Sequence, residues 1–126
     1  MRISAFVAAI ALSALAPTAL LAHVQLTASI PAAGTETKAP KEITLTFSKP
    51  VDPATAAASI IMTAMPGMAN HGEMPIRNFT VSWSDEGKTM VLALKKPLPT
   101  GTYEVRWQAA AADGHGMNGT VSFDVK

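Results

Sequence analysis

The stretch that decides the fold is Gly101-Thr102-Tyr103-Glu104-Val105-Arg106-Trp107-Gln108-Ala109. From Thr102 onward, polar and apolar residues take turns along it. Because side chains on a β-strand point alternately to its two faces, this alternation predicts a strand with one buried and one exposed face. Pro99-Thr100 supplies a turn signal just before the strand begins. A strand of this kind needs a second apolar layer to cover its buried face.

Six further segments show the same alternation or a short β-branched run, and turn signals rich in proline, glycine and aspartate separate them. These segments are Val24–Ile30, Ile43–Ser48, Ser59–Thr63, Ile76–Ser82, Thr89–Leu94 and Val121–Val125. Seven short strands in about a hundred residues are typical of two packed antiparallel sheets. The sequence therefore predicts an all-β fold, a seven-stranded Greek-key β-sandwich or barrel of the immunoglobulin-like kind.

Residues 1–22 have the composition of a secretory signal peptide. A positive start at Arg2 precedes the apolar run Ile3–Ala16, and Ala22 is a small residue at the expected cleavage point. A retained membrane anchor is the alternative, but a spanning helix needs about 20 apolar residues and Pro17 interrupts the run earlier. We therefore expect cleavage after Ala22, an exported protein, and a single mature domain of residues 23–126.

Composition excludes several classes of function. Cysteine is absent, so the chain has no disulfide, thiolate zinc site, iron–sulfur cluster or cysteine nucleophile. The formal net charge is +1 and no run of basic residues exceeds two, so a nucleic-acid-binding groove has no electrostatic support. Neither a nucleophile motif for hydrolysis nor a glycine-rich phosphate loop occurs.

Methionine is unusually concentrated between strands three and four. Pro66-Gly67 prevents a long regular element there, so methionines after position 64 have no periodic buried face to occupy. Thioether sulfur is a soft, neutral donor that suits Cu(I), and unlike cysteine it is not lost to disulfides in an oxidising compartment. A methionine-rich protein-binding surface is the alternative. The candidate Cu(I) ligands are Met62, Met65, Met68, His71 and Met74, although Met62 and the mid-strand Met90 could instead be core residues.

A second set of candidate donors consists of nitrogen and carboxylate groups, which are chemically harder ligands than thioethers. Cleavage would leave His23 with a free α-amine beside its imidazole, and both nitrogens can chelate one metal after losing protons. Asp113 and His115 lie two residues apart in a glycine-flanked loop. Nitrogen and carboxylate donors suit Cu(II). Strand alternation places His23 and this loop at one end of the sandwich, about 20–30 Å from the methionine segment.

The chain resembles the copper-resistance protein C (CopC) family. The resemblance covers nearly all of the mature chain and rests on His23-Val24-Gln25-Leu26, Met62-Thr63-Ala64-Met65-Pro66-Gly67-Met68 with His71 and Met74, Gly101–Trp107, and Asp113-Gly114-His115 with Gly119 and Phe123. It implies a small periplasmic copper carrier with two sites and no catalysis. Cu(II) would be held by His23, Asp113 and His115, and Cu(I) by the methionine segment with His71.

Two residues depart from the family pattern. Gly114 stands where the family usually has threonine, and Gly116 replaces the proline that usually follows the histidine. Both glycines loosen the loop, and this could weaken a Cu(II) site without abolishing it.

The resemblance also implies partners: an inner-membrane copper permease of the CopD kind and, as a second candidate, a periplasmic multicopper oxidase. We expect a monomer that binds no nucleic acid. An enzyme remains the alternative, because an N-terminal histidine with a second histidine is similar to the copper brace of oxidative polysaccharide monooxygenases. The short predicted loops offer little surface for a polysaccharide.

Overall fold

A computed structural model describes residues 24–67, 72–111 and 114–126. Within these ranges the chain forms nine β-strands joined by turns and two single-turn 3₁₀ helices. The strands are β1 Leu26–Ile30, β2 Glu36–Thr37, β3 Glu42–Phe47, β4 Ala57–Ala64, β5 Met74–Ile76, β6 Phe79–Ser84, β7 Thr89–Leu94, β8 Gly101–Ala110 and β9 Gly116–Val125. No helix in the described ranges is long and apolar enough to span a membrane.

The strands form two sheets. One has four strands in the order β1-β3-β7-β6, and the other has five in the order β2-β9-β8-β4-β5. Neighbouring strands in these two sheets are antiparallel apart from the short parallel pair of β2 and β9. The two sheets enclose one apolar core. The all-β sandwich expected from the sequence is confirmed.

The alternation in β8 has the predicted effect. Tyr103, Val105, Trp107 and Ala109 are buried, whereas the residues between them are partly or fully exposed. Trp107 meets Phe47 of the opposite sheet edge to face, with ring centroids 5.1 Å apart. Such aromatic pairs contribute about 0.5–1.5 kcal/mol beyond the area they bury. The inner row of β8 therefore joins the two sheets.

Three details differ from the sequence prediction. The segment predicted as one strand from Ile76 to Ser82 is divided between β5 and β6, which belong to different sheets, because the chain changes sheet at residues 77–78. Strand β2 was not predicted, since two residues are too few to show a period. Strand β9 also begins at Gly116, five residues before the predicted start at Val121.

The pairing of β8 with β9 defines the long axis of the molecule. Gly101 pairs with Val125 at one end, and Ala110 pairs with Gly116 at the other. At about 3.3 Å per residue, this ladder is roughly 30 Å long. We call the end that holds Met62, Met65 and Met74 the sulfur end, and the end that holds Val24, Ala110 and Gly114–Met117 the nitrogen end.

Backbone contacts show that the two chain segments of the nitrogen end lie together. Ser48 N–H donates to the Gln25 carbonyl at 2.8 Å, and Asp52 N–H donates to the Ala110 carbonyl at 3.0 Å. The segment from 48 to 52 thus connects the start of the described chain to the β8–β9 turn. At the sulfur end, Met62 pairs with Tyr103, seven residues from Ala110 along β8. The described parts of the methionine segment and of the His115 loop therefore lie at opposite ends of the sandwich, as strand alternation predicts.

Substituting Gly119 tests the packing of Trp107. A Cβ at Gly119 would lie 2.8 Å from the Trp107 ring, which is too close, whereas a Cβ at Gly116 would have its nearest neighbour at 3.7 Å. We expect Gly119→Ala to lower the free energy of unfolding by about 1–3 kcal/mol through overpacking. Gly116→Ala is the matched control, and urea denaturation of the metal-free variants measures both. Equal stability of the two variants would contradict the packing described for Trp107.

Because of Tyr103, the free energy of unfolding should depend on pH in the alkaline range. Its ring is fully buried, its hydroxyl donates to the Pro99 carbonyl at 2.6 Å, and burial raises its pKa to about 12. Because this raised pKa belongs to the folded state, the contribution of Tyr103 is complete below about pH 10, the unfolded value, and is lost as pH rises toward 12.

Tyr103→Phe should therefore lose about 1 kcal/mol at pH 7, from the missing hydrogen bond. It should also show a smaller fall in stability between pH 10 and 12 than the native protein. Urea denaturation at several pH values measures this slope. An identical slope in both proteins would show that Tyr103 is not the responsible group.

Candidate metal centres

At the sulfur end, two methionines face each other across neighbouring strands. Met62 of β4 and Met74 of β5 are direct partners in the antiparallel register. Directly opposed side chains lie on the same side of a sheet, with Cβ atoms about 4.5–5.5 Å apart. Met74 is 46% exposed, whereas Met62 is 3% exposed. The pairing thus sets an open thioether beside a buried one.

Met62 is part of the hydrophobic core. Its side chain packs over Gly101, where an added Cβ would lie 3.2 Å from the Met62 Cε. Its role as a Cu(I) ligand stays a prediction, and its side chain is almost completely buried in the absence of a metal. The methionines of this end therefore differ in accessibility, which the spacing in the sequence does not show.

Met65 follows β4 and leads into the turn at Pro66-Gly67. The sequence offered it no periodic buried face, yet it is half-buried and packs against the edge of the core. Gly67 takes a positive φ of 79°, a conformation that glycine adopts without strain. Met68 and His71, the next two predicted ligands, lie outside the described residues. Of the five predicted Cu(I) ligands, the structure places Met62, Met65 and Met74.

An ion pair holds the side chain of Glu73, the residue before Met74. The guanidinium of Arg106 on β8 binds both carboxylate oxygens of Glu73, with distances of 2.6 Å and 3.3 Å. Its Nε also donates to Glu104 at 3.0 Å. The hydrogen bond and charge of Arg106 lower the pKa of Glu73, and the two carboxylates raise the pKa of Arg106. Glu73 and Arg106 are therefore both ionised at neutral pH.

Sequence reasoning did not find this ion pair. The spacing of Glu104 and Arg106 shows that they share the exposed face of β8. Nothing in the sequence connects them to Glu73, which is 33 residues away from Arg106. The contact exists because β4 brings β5 and β8 to its two sides.

At the nitrogen end, His115 is exposed and immediately precedes β9. Gly114 before it has a φ of 85°, and its N–H donates to the Ala111 carbonyl at 2.9 Å, which closes the turn. Two other predicted ligands, His23 and Asp113, lie outside the described residues. Their neighbours Val24 and Gly114 both belong to this end. Val24 is completely buried, so the chain next to position 23 is anchored in the core.

Met117 is a further thioether at the nitrogen end. It pairs with Ala109 and is 37% exposed. Among the residues described, no group of three or more histidine, aspartate or glutamate side chains is arranged to hold a metal ion. A complete nitrogen–carboxylate site would therefore need donors beyond those ranges, such as His23 and Asp113.

The fold and its ends define a small β-sandwich that presents thioethers at one end and an imidazole at the other. The CopC domain family model matches residues 26–126. The chain belongs to the CopC family.

Relatives and solved structures agree with this assignment. Copper resistance protein C of Pseudomonas syringae pv. tomato is 41% identical over 124 residues, which cover 98% of this chain and 94% of that protein. Copper resistance protein C of Escherichia coli is 38% identical over 106 residues, 84% of this chain and 83% of that protein. The crystal structure of PcoC, a methionine-rich copper resistance protein from Escherichia coli, matches with a TM-score of 0.75 and 36% identity, covering 83% of this chain and all of PcoC. The chain is thus a copper-resistance-type protein.

Peroxide can rank the accessibility of the methionines. We expect Met74 and Met117 to be oxidised to sulfoxide first, and Met62 and Met90 last, because the first pair is exposed and the second is buried. Peptide mass mapping after brief peroxide treatment of the metal-free protein measures the order, and the denatured protein is the control in which all four should react alike. Oxidation of Met62 as fast as Met74 in the folded protein would contradict the described burial.

Proposed function

We propose that this protein is a periplasmic copper carrier that holds Cu(I) at the sulfur end and Cu(II) at the nitrogen end. The observation that carries the proposal is the separation of the exposed thioether of Met74 from the exposed imidazole of His115, at opposite ends of one rigid sandwich. The CopC-type relatives, which are named copper resistance proteins, support copper as the metal.

The donors of the sulfur end fit Cu(I). Thioethers are soft and uncharged, so they favour Cu(I) over hard cations. Met65, Met68 and Met74, with His71, would supply more donors than one ion needs, and Met62 lies beside Met74 as a buried neighbour. An excess of donors lets a partner replace them one at a time. That property suits a protein that must release its metal.

The donors of the nitrogen end fit Cu(II). The α-amine and ring of His23, together with Asp113 and His115, would combine nitrogen and carboxylate ligands. Both nitrogens of His23 bind only when deprotonated, so affinity should fall in acid. The amine is available only if export cleavage occurs after Ala22. Signal-peptide export to the periplasm is therefore part of the proposal.

A carrier of this kind has no catalytic step. Its partners would be a CopD-like inner-membrane copper permease and, second, a periplasmic multicopper oxidase, and it would act as a monomer. Copper transfer to such partners accounts for a role in copper resistance. Oxygen-dependent turnover of a polysaccharide would instead show an enzyme, and the absence of Cu(I) uptake under reducing conditions would favour a methionine-rich interaction module.

Two sets of substitutions should separate the sites. His115→Ala should weaken Cu(II) binding by at least about tenfold and leave Cu(I) binding nearly unchanged, because it removes one nitrogen ligand. Met65→Leu with Met68→Leu should do the reverse. Competition titrations with Cu(II) chelators in air and with coloured Cu(I) chelators under reducing conditions measure both affinities.

Met90→Leu is the control for loss of a methionine outside both sites, since Met90 is fully buried. Intact-mass measurement of the exported protein must show an N-terminus at His23 before Cu(II) affinities are compared. Equal losses of Cu(I) and Cu(II) binding in both sets of variants would disprove the two-site proposal.

A further inference from the structure

The ion pair of Arg106 and Glu73 spans a strand of the five-stranded sheet. Arg106 lies on β8, Glu73 immediately precedes β5, and β4 separates these two strands. Arg106 stands between the buried Val105 and Trp107, so its side chain lies on the outer face and must cross β4 there. Ile61 of β4 points to the same face, yet it is only 8% exposed. A long side chain crossing this position can cover such apolar surface.

Strand β5 is weakly held by its own pairing. It has three residues, and within the described residues it is an edge strand that pairs with β4 alone. The register that sets Met74 opposite Met62 therefore depends on few backbone hydrogen bonds. An additional tether at the start of β5 would have a large effect on this register.

A second carboxylate, that of Glu104, helps to orient Arg106 toward Glu73. Glu104 lies two residues earlier on the same face of β8 and accepts from Arg106 Nε at 3.0 Å. Planar guanidinium and carboxylate groups that meet through two parallel hydrogen bonds fix orientation as well as distance. The pair is exposed, with the Arg106 side chain 41% and the Glu73 side chain 58% accessible, so its strength should fall with salt. It can thus form and break without disturbing the core.

We propose that Arg106 is a positioning residue that, through Glu73, holds Met74 opposite Met62 and so sets the affinity and release rate of Cu(I) at the sulfur end. This inference rests on the proposed function. Neither Arg106 nor Glu73 is a metal ligand in this proposal. Their ion pair controls the position of Met74 relative to Met62. Breaking the pair frees the start of β5 and lets Met74 move away from Met62.

The test uses Glu73→Gln and Arg106→Gln. Each should weaken Cu(I) binding by about two- to fivefold and speed Cu(I) release by a similar factor, the scale expected for an exposed ion pair. Competition with a coloured Cu(I) chelator gives the affinity, and stopped-flow transfer to that chelator gives the rate. In 1 M salt the differences from the native protein should shrink, because screening weakens the native pair.

Glu36→Gln is the matched control. Glu36 pairs with Lys126 at 3.1 Å on the opposite edge of the same sheet and is exposed to nearly the same degree as Glu73. This variant removes the same charge and an exposed ion pair that is separated from β5 by three strands, so it should bind Cu(I) like the native protein. The exchange of both charges, Glu73→Arg with Arg106→Glu, should restore only part of the lost affinity, because a carboxylate at position 106 would lie beside Glu104 and would not be oriented by it. Cu(II) affinity should stay unchanged in all four variants, which shows that the fold is intact.

A measurement without metal tests the positioning directly. NMR should show cross-strand backbone contact between Met62 and Met74 in the native protein, as their register requires, and loss of that contact in Glu73→Gln. Native-like contact and native-like Cu(I) binding in Glu73→Gln and Arg106→Gln would overturn the positioning role and leave the proposed carrier function intact. Absence of Cu(I) uptake by the native protein would overturn both.

Discussion

Strand β8 pairs along its full length with β9 on one side and along most of its length with β4 on the other. Its buried row packs against the opposite sheet, where Trp107 meets Phe47. This one strand therefore fixes both ends of the molecule, since β4 leads into the methionine segment and β9 follows the loop of His115. Burial of its inner face is the constraint from which the distance between the two ends follows.

The core and the ends have different physical tasks. Among the residues described, the buried side chains are apolar and none is charged, so the interior supplies rigidity without chemistry. Among the described residues, the proposed ligands Met65, Met74 and His115 are at the ends, where strands start or stop and the backbone can turn. Met62 is the exception, because it belongs to the core and also adjoins Met74. Through this residue, the packing of the interior extends to the sulfur end.

Much of the fold was predictable because β8 and its neighbours alternate so clearly. Periodicity does not show which sheet a strand joins, and for that reason the change of sheet between β5 and β6 was missed. Sequence spacing placed His115 and the methionine segment at opposite ends. It could not decide the burial of Met62 or Met65, which depends on what packs over them. The contact of Glu73 with Arg106 was also beyond reach, since it joins residues that are distant in the chain.

The shortness of β5 and the proline at its centre have a further consequence. Exposed strand edges invite pairing with other chains and so promote polymerisation, and natural proteins blunt such edges with short strands and proline. Pro75 leaves this edge with one donor fewer than a strand of ordinary residues would have. The same end can therefore keep its thioethers accessible while offering a poor template for self-assembly.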